Sequence, residues 1–275
     1  MIAPLKLRRA TFSLLTLAAT IVLAYFYPRL ETALPHVVFL SGWLLLALCL
    51  FLTAYNARKK LPFIPLFSSR LWLQFHAYAG LFAGALFVFH LGFSVPTGIF
   101  NLVLAGLFLA VTFSGIFGWW MSRAIPRRLT SAGGEVPFDR IPVVRRELRL
   151  KAEKTVLAVI PEAKASTLAD FYTRELAPSF AADPAFFPHI VASQSALNRQ
   201  LTAITEVCRY LSPSEKAQAE ALAELARARH ILDFHHANQL LLKGWLFTHV
   251  PLTYGLLLFT GIHVILVHAF NGGAR

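Results

Sequence analysis

Four histidines stand inside long apolar stretches of the chain, at His76, His90, His249 and His263. An ionisable residue inside a membrane span is costly, and such residues mark function by default. Within each pair the two histidines are 14 residues apart (76 to 90, 249 to 263). On a helix at 100° per residue, 14 steps return to within about 40° of the start, with a rise of ~21 Å. Each pair therefore lies on one helix face, too far apart to ligate one metal and well placed for two sites stacked through a bilayer. Two imidazoles meeting from two helices are the axial ligands of a six-coordinate haem iron, whose natural chemistry is one-electron transfer.

Spanning ~30 Å of hydrocarbon takes about 20 apolar residues in a helix. Five stretches qualify: Ala10–Tyr27, Val37–Tyr55, Leu71–Phe93, Ile99–Met121 and Leu241–Phe270. The third carries His76 and His90, and the fifth carries His249 and His263. With one span between them, these two run parallel. His76 then shares a depth with His249, and His90 with His263.

Composition agrees. Of 275 residues, 56% are hydrophobic and only 15% charged, against about 25% charged in soluble domains. Of 14 acids, all but Glu31 lie between Glu135 and Asp233. The expected architecture is all-α, an integral membrane bundle of five transmembrane helices with a helical insert before the last. Its parts are residues 1–121 with four spans, the insert 122–240, and 241–275 with the fifth span and a short tail. The net charge of +12 forms no basic stripe interleaved with aromatics, which argues against nucleic acid.

The cations set an orientation, since short inside loops are rich in Lys and Arg. Lys6, Arg8, Arg9, Arg58, Lys59, Lys60, Arg70, Arg123, Arg127 and Arg128 flank one side; only Arg29 and Arg275 flank the other. The N-terminus and the insert are expected in the cytoplasm, the C-terminus outside, in a bacterial inner membrane. Trp119 and Trp120 suit the inner aromatic belt. The first span is expected to be an uncleaved anchor, because no small-residue cleavage site precedes Pro28.

Within the insert, a helix is expected over Pro142–Ile160, stopped by Pro161. Ser212-Pro213-Ser214-Glu215 carries a capping-box start. Gly133-Gly134 and Pro178–Pro188 suggest loops. No glycine-rich phosphate loop is present. The two cysteines, Cys49 and Cys208, are too few for an iron–sulfur cluster, and no Cys-x-x-Cys-His stretch offers covalent haem attachment.

A weak repeat surrounds the inner histidines. Arg70-Leu71-Trp72-Leu73-Gln74-Phe75-His76 aligns with Lys243-Gly244-Trp245-Leu246-Phe247-Thr248-His249. Trp72 and Trp245 stand one turn before a ligand and could pack on a porphyrin edge; Arg70 and Lys243 stand where propionates would emerge. Ordinary interfacial Trp and snorkelling cations explain the same residues singly. Gly80, one turn after His76, would let a macrocycle approach the backbone, or would serve simple helix packing. His235 and His236 could line a quinone site or relay a proton, although solvated helix polarity explains them too, and His36 and His268 could serve an outer quinone or partner site, although interfacial placement without function explains them. His268, five residues past His263, is rotated by ~140° and expected to point away from the ligand face.

Two parallel helices, each with His, thirteen residues and His, resemble the membrane cytochromes b, including those of quinol–cytochrome c reductases and the transmembrane domain of ferric reductases and NADPH oxidases. The resemblance covers the second to fifth spans. It implies two haem b groups, ligated by His76, His90, His249 and His263. The Pro-Glu-Trp-Tyr stretch of the quinol-oxidising site is missing, no flavin or nicotinamide domain follows the last span, and the insert matches neither group. The expected function is transmembrane electron transfer as the membrane subunit of a quinone-linked redox complex rather than as a stand-alone enzyme, with membrane lipid, a quinone and a redox protein as partners. A ferric-reductase-like transmembrane reductase is an alternative. A metal or proton transporter or assembly factor is another, which leaves the matched spacings unexplained.

Overall fold

The computed structural model describes residues 5–34, 36–60, 68–131, 136–158 and 167–271. The side chains of Arg58, Lys59, Lys60 and Arg70 are not described, and Gly133, Gly134, Pro161 and Arg275 fall outside the described residues.

The described chain is all-helical. Its long helices are α1 (Leu5–Ala33), α2 (Val37–Lys60), α3 (Ser69–His90) and α4 (Ile99–Ser131). The polar segment forms α5 (Ile141–Leu157), α6 (Thr167–Phe171) with a π-helical turn Tyr172–Leu176, α7 (Ala177–Ala181), α8 (Phe186–Ile190) and α9 (Ser195–Val207). The last helix, α10 (Pro213–Asn271), runs for 59 residues. Five helices are long and apolar enough to cross a membrane, so the chain is an integral membrane protein. Leu14, Leu15, Leu17 and Ile21 of α1 stay more than half exposed, a surface that water would penalise and lipid tails accept.

Two compact units form, residues 1–120 with 245–275, and residues 121–244. In the first, α3 packs against α2 and α1. Tyr78 of α3 donates from its hydroxyl to the Arg9 carbonyl at 3.3 Å and stacks on Phe12. Deeper, Leu45 and Cys49 of α2, Ala83, Leu86 and Phe87 of α3, Ala105 and Phe108 of α4 and Leu256 of α10 form a buried core. The Phe87 and Phe108 rings stack at 4.0 Å. The hydroxyls of Thr16, Thr20, Thr53, Thr112, Thr253 and Thr260 each donate to the carbonyl four residues back. That satisfies them where no water can.

The second unit closes over Ala152, Val156, Leu168, Leu176, Phe180, Ile204 and Leu222. Arg229 clamps its centre, donating to Asp233 at 2.9 Å and to the Phe180 and Ala182 carbonyls at 2.8 Å. Burial and the Arg229 charge push the Arg145 guanidinium down from its usual value, while Asp233 and Asp183 oppose the shift. At the start of α10 the capping box closes as the sequence suggests. The Glu215 carboxylate accepts from the Ser212 amide at 3.0 Å, and the Ser212 hydroxyl from the Glu215 amide at 3.4 Å.

Two boundaries differ from expectation. Pro178–Pro188 is not a plain loop, because α7 and α8 occupy its two ends, and helix α4 continues past Met121. The helix that the capping box opens at Pro213 runs on through the last span. Pro126 and Pro251 interrupt neither.

Candidate functional site

His90 closes α3. Its Nδ1 lies 2.9 Å from the Ser41 hydroxyl of α2. Ser41 donates its one hydrogen to the Val38 carbonyl at 2.8 Å, so towards His90 it acts as acceptor. The network thus assigns the imidazole proton to Nδ1 and leaves a lone pair on Nε2, the arrangement in which a ligating histidine is oriented by a neighbouring group. The Tyr27 hydroxyl joins Ser41 at 3.3 Å, and both residues are buried. A Cβ at Gly42 would stand 3.2 Å from His90 Cε1, so a small residue there lets α2 lie against the ring.

His90 and His263 line one cavity of about 320 Å³, walled by Gly42, Phe87, Phe108 and Leu256 among others. That volume is in the range of ligand pockets. The structure therefore brings the two outer histidines, from α3 and α10, to one space. Among the described residues no hydrogen bond engages the His263 ring. His268 lines the same cavity, although an ideal helix would turn it away. Its ring stands 5.7 Å from Trp43 and 6.0 Å from Phe39, and its Nδ1 donates to the Val264 carbonyl at 2.8 Å. His36 packs edge-on against Phe39.

The inner histidines are tethered separately. His76 Nδ1 lies 3.1 Å from the Leu52 carbonyl of α2. A carbonyl only accepts, so here too the proton sits on Nδ1. Gly80 has Leu52 Cδ2 as its nearest neighbour, 4.0 Å from a built Cβ, and so serves the contact of α3 with α2. Trp72 stacks on Phe51, at 5.3 Å. His249 Nδ1 lies 3.1 Å from the Ser114 hydroxyl of α4. Trp245 stacks on His249 at 5.2 Å and 23°, and its indole donates to the Ser114 carbonyl at 2.8 Å. The repeat in sequence thus takes two different forms in space: one Trp supports its histidine, and the other packs on α2.

The second unit holds the remaining candidates. Lys243 lies 3.6 Å over the Phe138 ring and 3.9 Å from Asp139. His236 stacks on Phe138 at 5.4 Å, and His235 is fully buried, with its Nδ1 3.5 Å from the Val136 amide. The Arg70 side chain lies outside the described residues.

Sequence reading missed Tyr27, Ser41, Leu52, Ser114 and Gly118. Ser41-Gly42 and Ser114-Gly115 did carry a signal, as small polar pairs inside apolar runs. As a donor set, the His90 and His263 imidazoles on one apolar, aromatic-walled cavity, with Nδ1 of His90 engaged, fit a haem held through Nε2. No family model, no curated protein and no solved structure matches the chain.

Proposed function

We propose that this chain carries single electrons across a bilayer through two b-type haems. His90 with His263 would hold the outer group and His76 with His249 the inner one. The single observation that carries the reading is the cavity shared by His90 and His263, with His90 Nδ1 bound to Ser41. The matched 14-residue spacing extends it to the inner pair. A haem bound between two imidazoles supplies reversible one-electron chemistry with no open coordination position. The chain's own residues do the rest. Ser41, Leu52 and Ser114 fix three imidazoles through Nδ1. Phe87, Phe108 and Leu256 give the outer cavity apolar walls.

Electrons enter and leave through partners, a membrane quinone and a redox protein. The excess of Lys and Arg on one set of flanks supports an N-terminus and a polar unit in the cytoplasm of a bacterial cell, with the C-terminus outside. A pyridine haemochrome assay on purified protein tests the reading. Close to two haem b per polypeptide is expected; a value near zero after expression with ample haem overturns it.

A second reading, a transmembrane reductase of the ferric-reductase kind, is favoured by one observation. The exposed His268 stands in the wall of the outer cavity beside Trp43, where an external acceptor could meet it. Reduction of a ferric chelate added outside proteoliposomes holding a reductant inside tests it, and no reduction overturns it.

A further inference from the structure

Two histidines of the second unit face each other across two elements. His189 of α8 and His230 of α10 have ring centroids 5.1 Å apart and planes at 44°. That angle is neither a stack nor an edge-on contact, the arrangements that ring packing favours. The separation fits a different purpose. With a metal–nitrogen bond of about 2.0–2.1 Å, an imidazole centroid lies ~3.2 Å from the ion, and two imidazoles on one tetrahedral ion have centroids ~5 Å apart.

Hydrogen bonding agrees. His189 Nδ1 donates to the Ala185 carbonyl at 2.6 Å, since a carbonyl only accepts. The ring's lone pair is therefore on Nε2. A bond from the other ring nitrogen to a backbone carbonyl is the support that a metal-ligating histidine ordinarily has. Among the described residues no hydrogen bond engages the His230 ring. Both side chains are half-buried, so an ion can reach them from water while packing limits their movement.

The chain on either side of His189 is also held in place. Arg229, next to His230, donates to the Phe180 and Ala182 carbonyls at 2.8 Å, and Arg145 donates to the Ala182 carbonyl at 2.6 Å. These bonds tie the segment entering α8 to α10 and α5. Beyond His189, Arg128 donates to the Ile190 carbonyl at 3.1 Å, and the Ser193 amide to the Pro188 carbonyl at 2.8 Å. The two imidazoles thus meet on a framework that other residues fix, and an ion need not pay to assemble them. Asp183 and Asp233 ion-pair with Arg145, and Asp233 with Arg229, which offsets guanidinium charge that would repel a cation.

We propose that His189 and His230 bind one divalent ion of the zinc class, joining α8 to α10. Imidazole suits zinc, copper and nickel, whereas magnesium and calcium prefer oxygen. Among the described residues no group of three His, Cys, Asp or Glu comes together, so water completes the coordination. An ion that binds the folded unit and not the unfolded chain stabilises it.

Zinc binding by the full chain, carrying no polyhistidine tag and stripped of loose metal, tests this. Equilibrium dialysis against zinc chloride, read by atomic absorption, should show a saturable zinc that His189→Gln and His230→Gln each weaken by more than about tenfold. His36→Gln, in the other unit, should leave it unchanged. Equal zinc binding by the parent and both variants overturns the proposal, and so does a parent without saturable binding. A second readout uses the unmutated protein and so is independent of how the variants fold. Modification by diethyl pyrocarbonate, mapped by mass spectrometry of peptides, should be slowed by zinc at 189 and 230 together and not at 36. Unchanged rates at 189 and 230 overturn the proposal. Both readouts follow these two residues whatever cofactor the spans carry, so their outcome is independent of the electron-transfer reading.

Discussion

The Trp245 indole occupies the space that a side chain at Gly118 would need: a Cβ built there would overlap Trp245 Cζ2. The same indole stacks on His249 and donates to the Ser114 carbonyl. Helix α4, which has no histidine, therefore shapes the support of one. Gly118→Ala should displace Trp245, break its hydrogen bond and release His249. Overpacking of this kind costs about 1–3 kcal/mol. Thermal unfolding should shift down, and a reduced-minus-oxidised spectrum should lose part of one low-spin component. Gly106→Ala, with nothing within 4 Å of the built Cβ, should change neither.

Ser41→Ala should act on the outer pair. It removes the acceptor of His90 Nδ1, and a buried donor left unpaired costs about 1–3 kcal/mol. A less electron-rich imidazole also favours the reduced iron. Potentiometric titration should show the potential of one haem raised and the other unchanged. Tyr27→Phe, one bond further out at 3.3 Å, should give a smaller shift in the same direction. Equal shifts of both haems would contradict the assignment.

Much of this was legible in the sequence, and the reason is physical. Membrane spans announce themselves by length and apolarity, and the capping box at Ser212 and Glu215 is a local device. Both depend on neighbours in the chain. The tethers do not. Ser41 and His90 are 49 residues apart and His249 and Ser114 are 135 apart, and nothing local to either partner names the other. His268 shows the limit of an ideal wheel, since the cavity reaches a residue that 100° per residue turns away. The polar unit was the least legible, because its short helices α6 to α8 take their bounds from packing around Leu168, Leu176 and Phe180.

In that unit, Asp233→Asn should be costly. The carboxylate pairs with Arg229 at 2.9 Å, and both side chains are about nine-tenths buried, at 10% and 8% exposure. Removing one partner of a buried pair costs roughly 3–5 kcal/mol. Chemical denaturation followed by far-ultraviolet circular dichroism should show the loss. Arg227→Ala removes an exposed ion pair with Glu224 and should cost about 1 kcal/mol or less.

The cation asymmetry gives an orientation. A C-terminal alkaline phosphatase fusion should be active in a bacterial host, and a fusion near Ser166 should be inactive. The reverse pattern would exchange the inner and outer haems and leave the pairing intact.

The pairing is the central claim, and spectra of the four single histidine variants test it most directly. Parallel α3 and α10 require like depths to meet. On the proposed reading, loss of one imidazole would leave the iron short of a ligand and high-spin, or the haem unbound. His76→Ala and His249→Ala should therefore damage one spectral component in low-temperature reduced-minus-oxidised spectra. His90→Ala and His263→Ala should damage the other. His268 is the competitor, because it lines the same cavity as His263. If His263→Ala keeps a low-spin outer haem and His268→Ala loses it, the outer assignment is wrong and the matched spacing of His249 and His263 is coincidence.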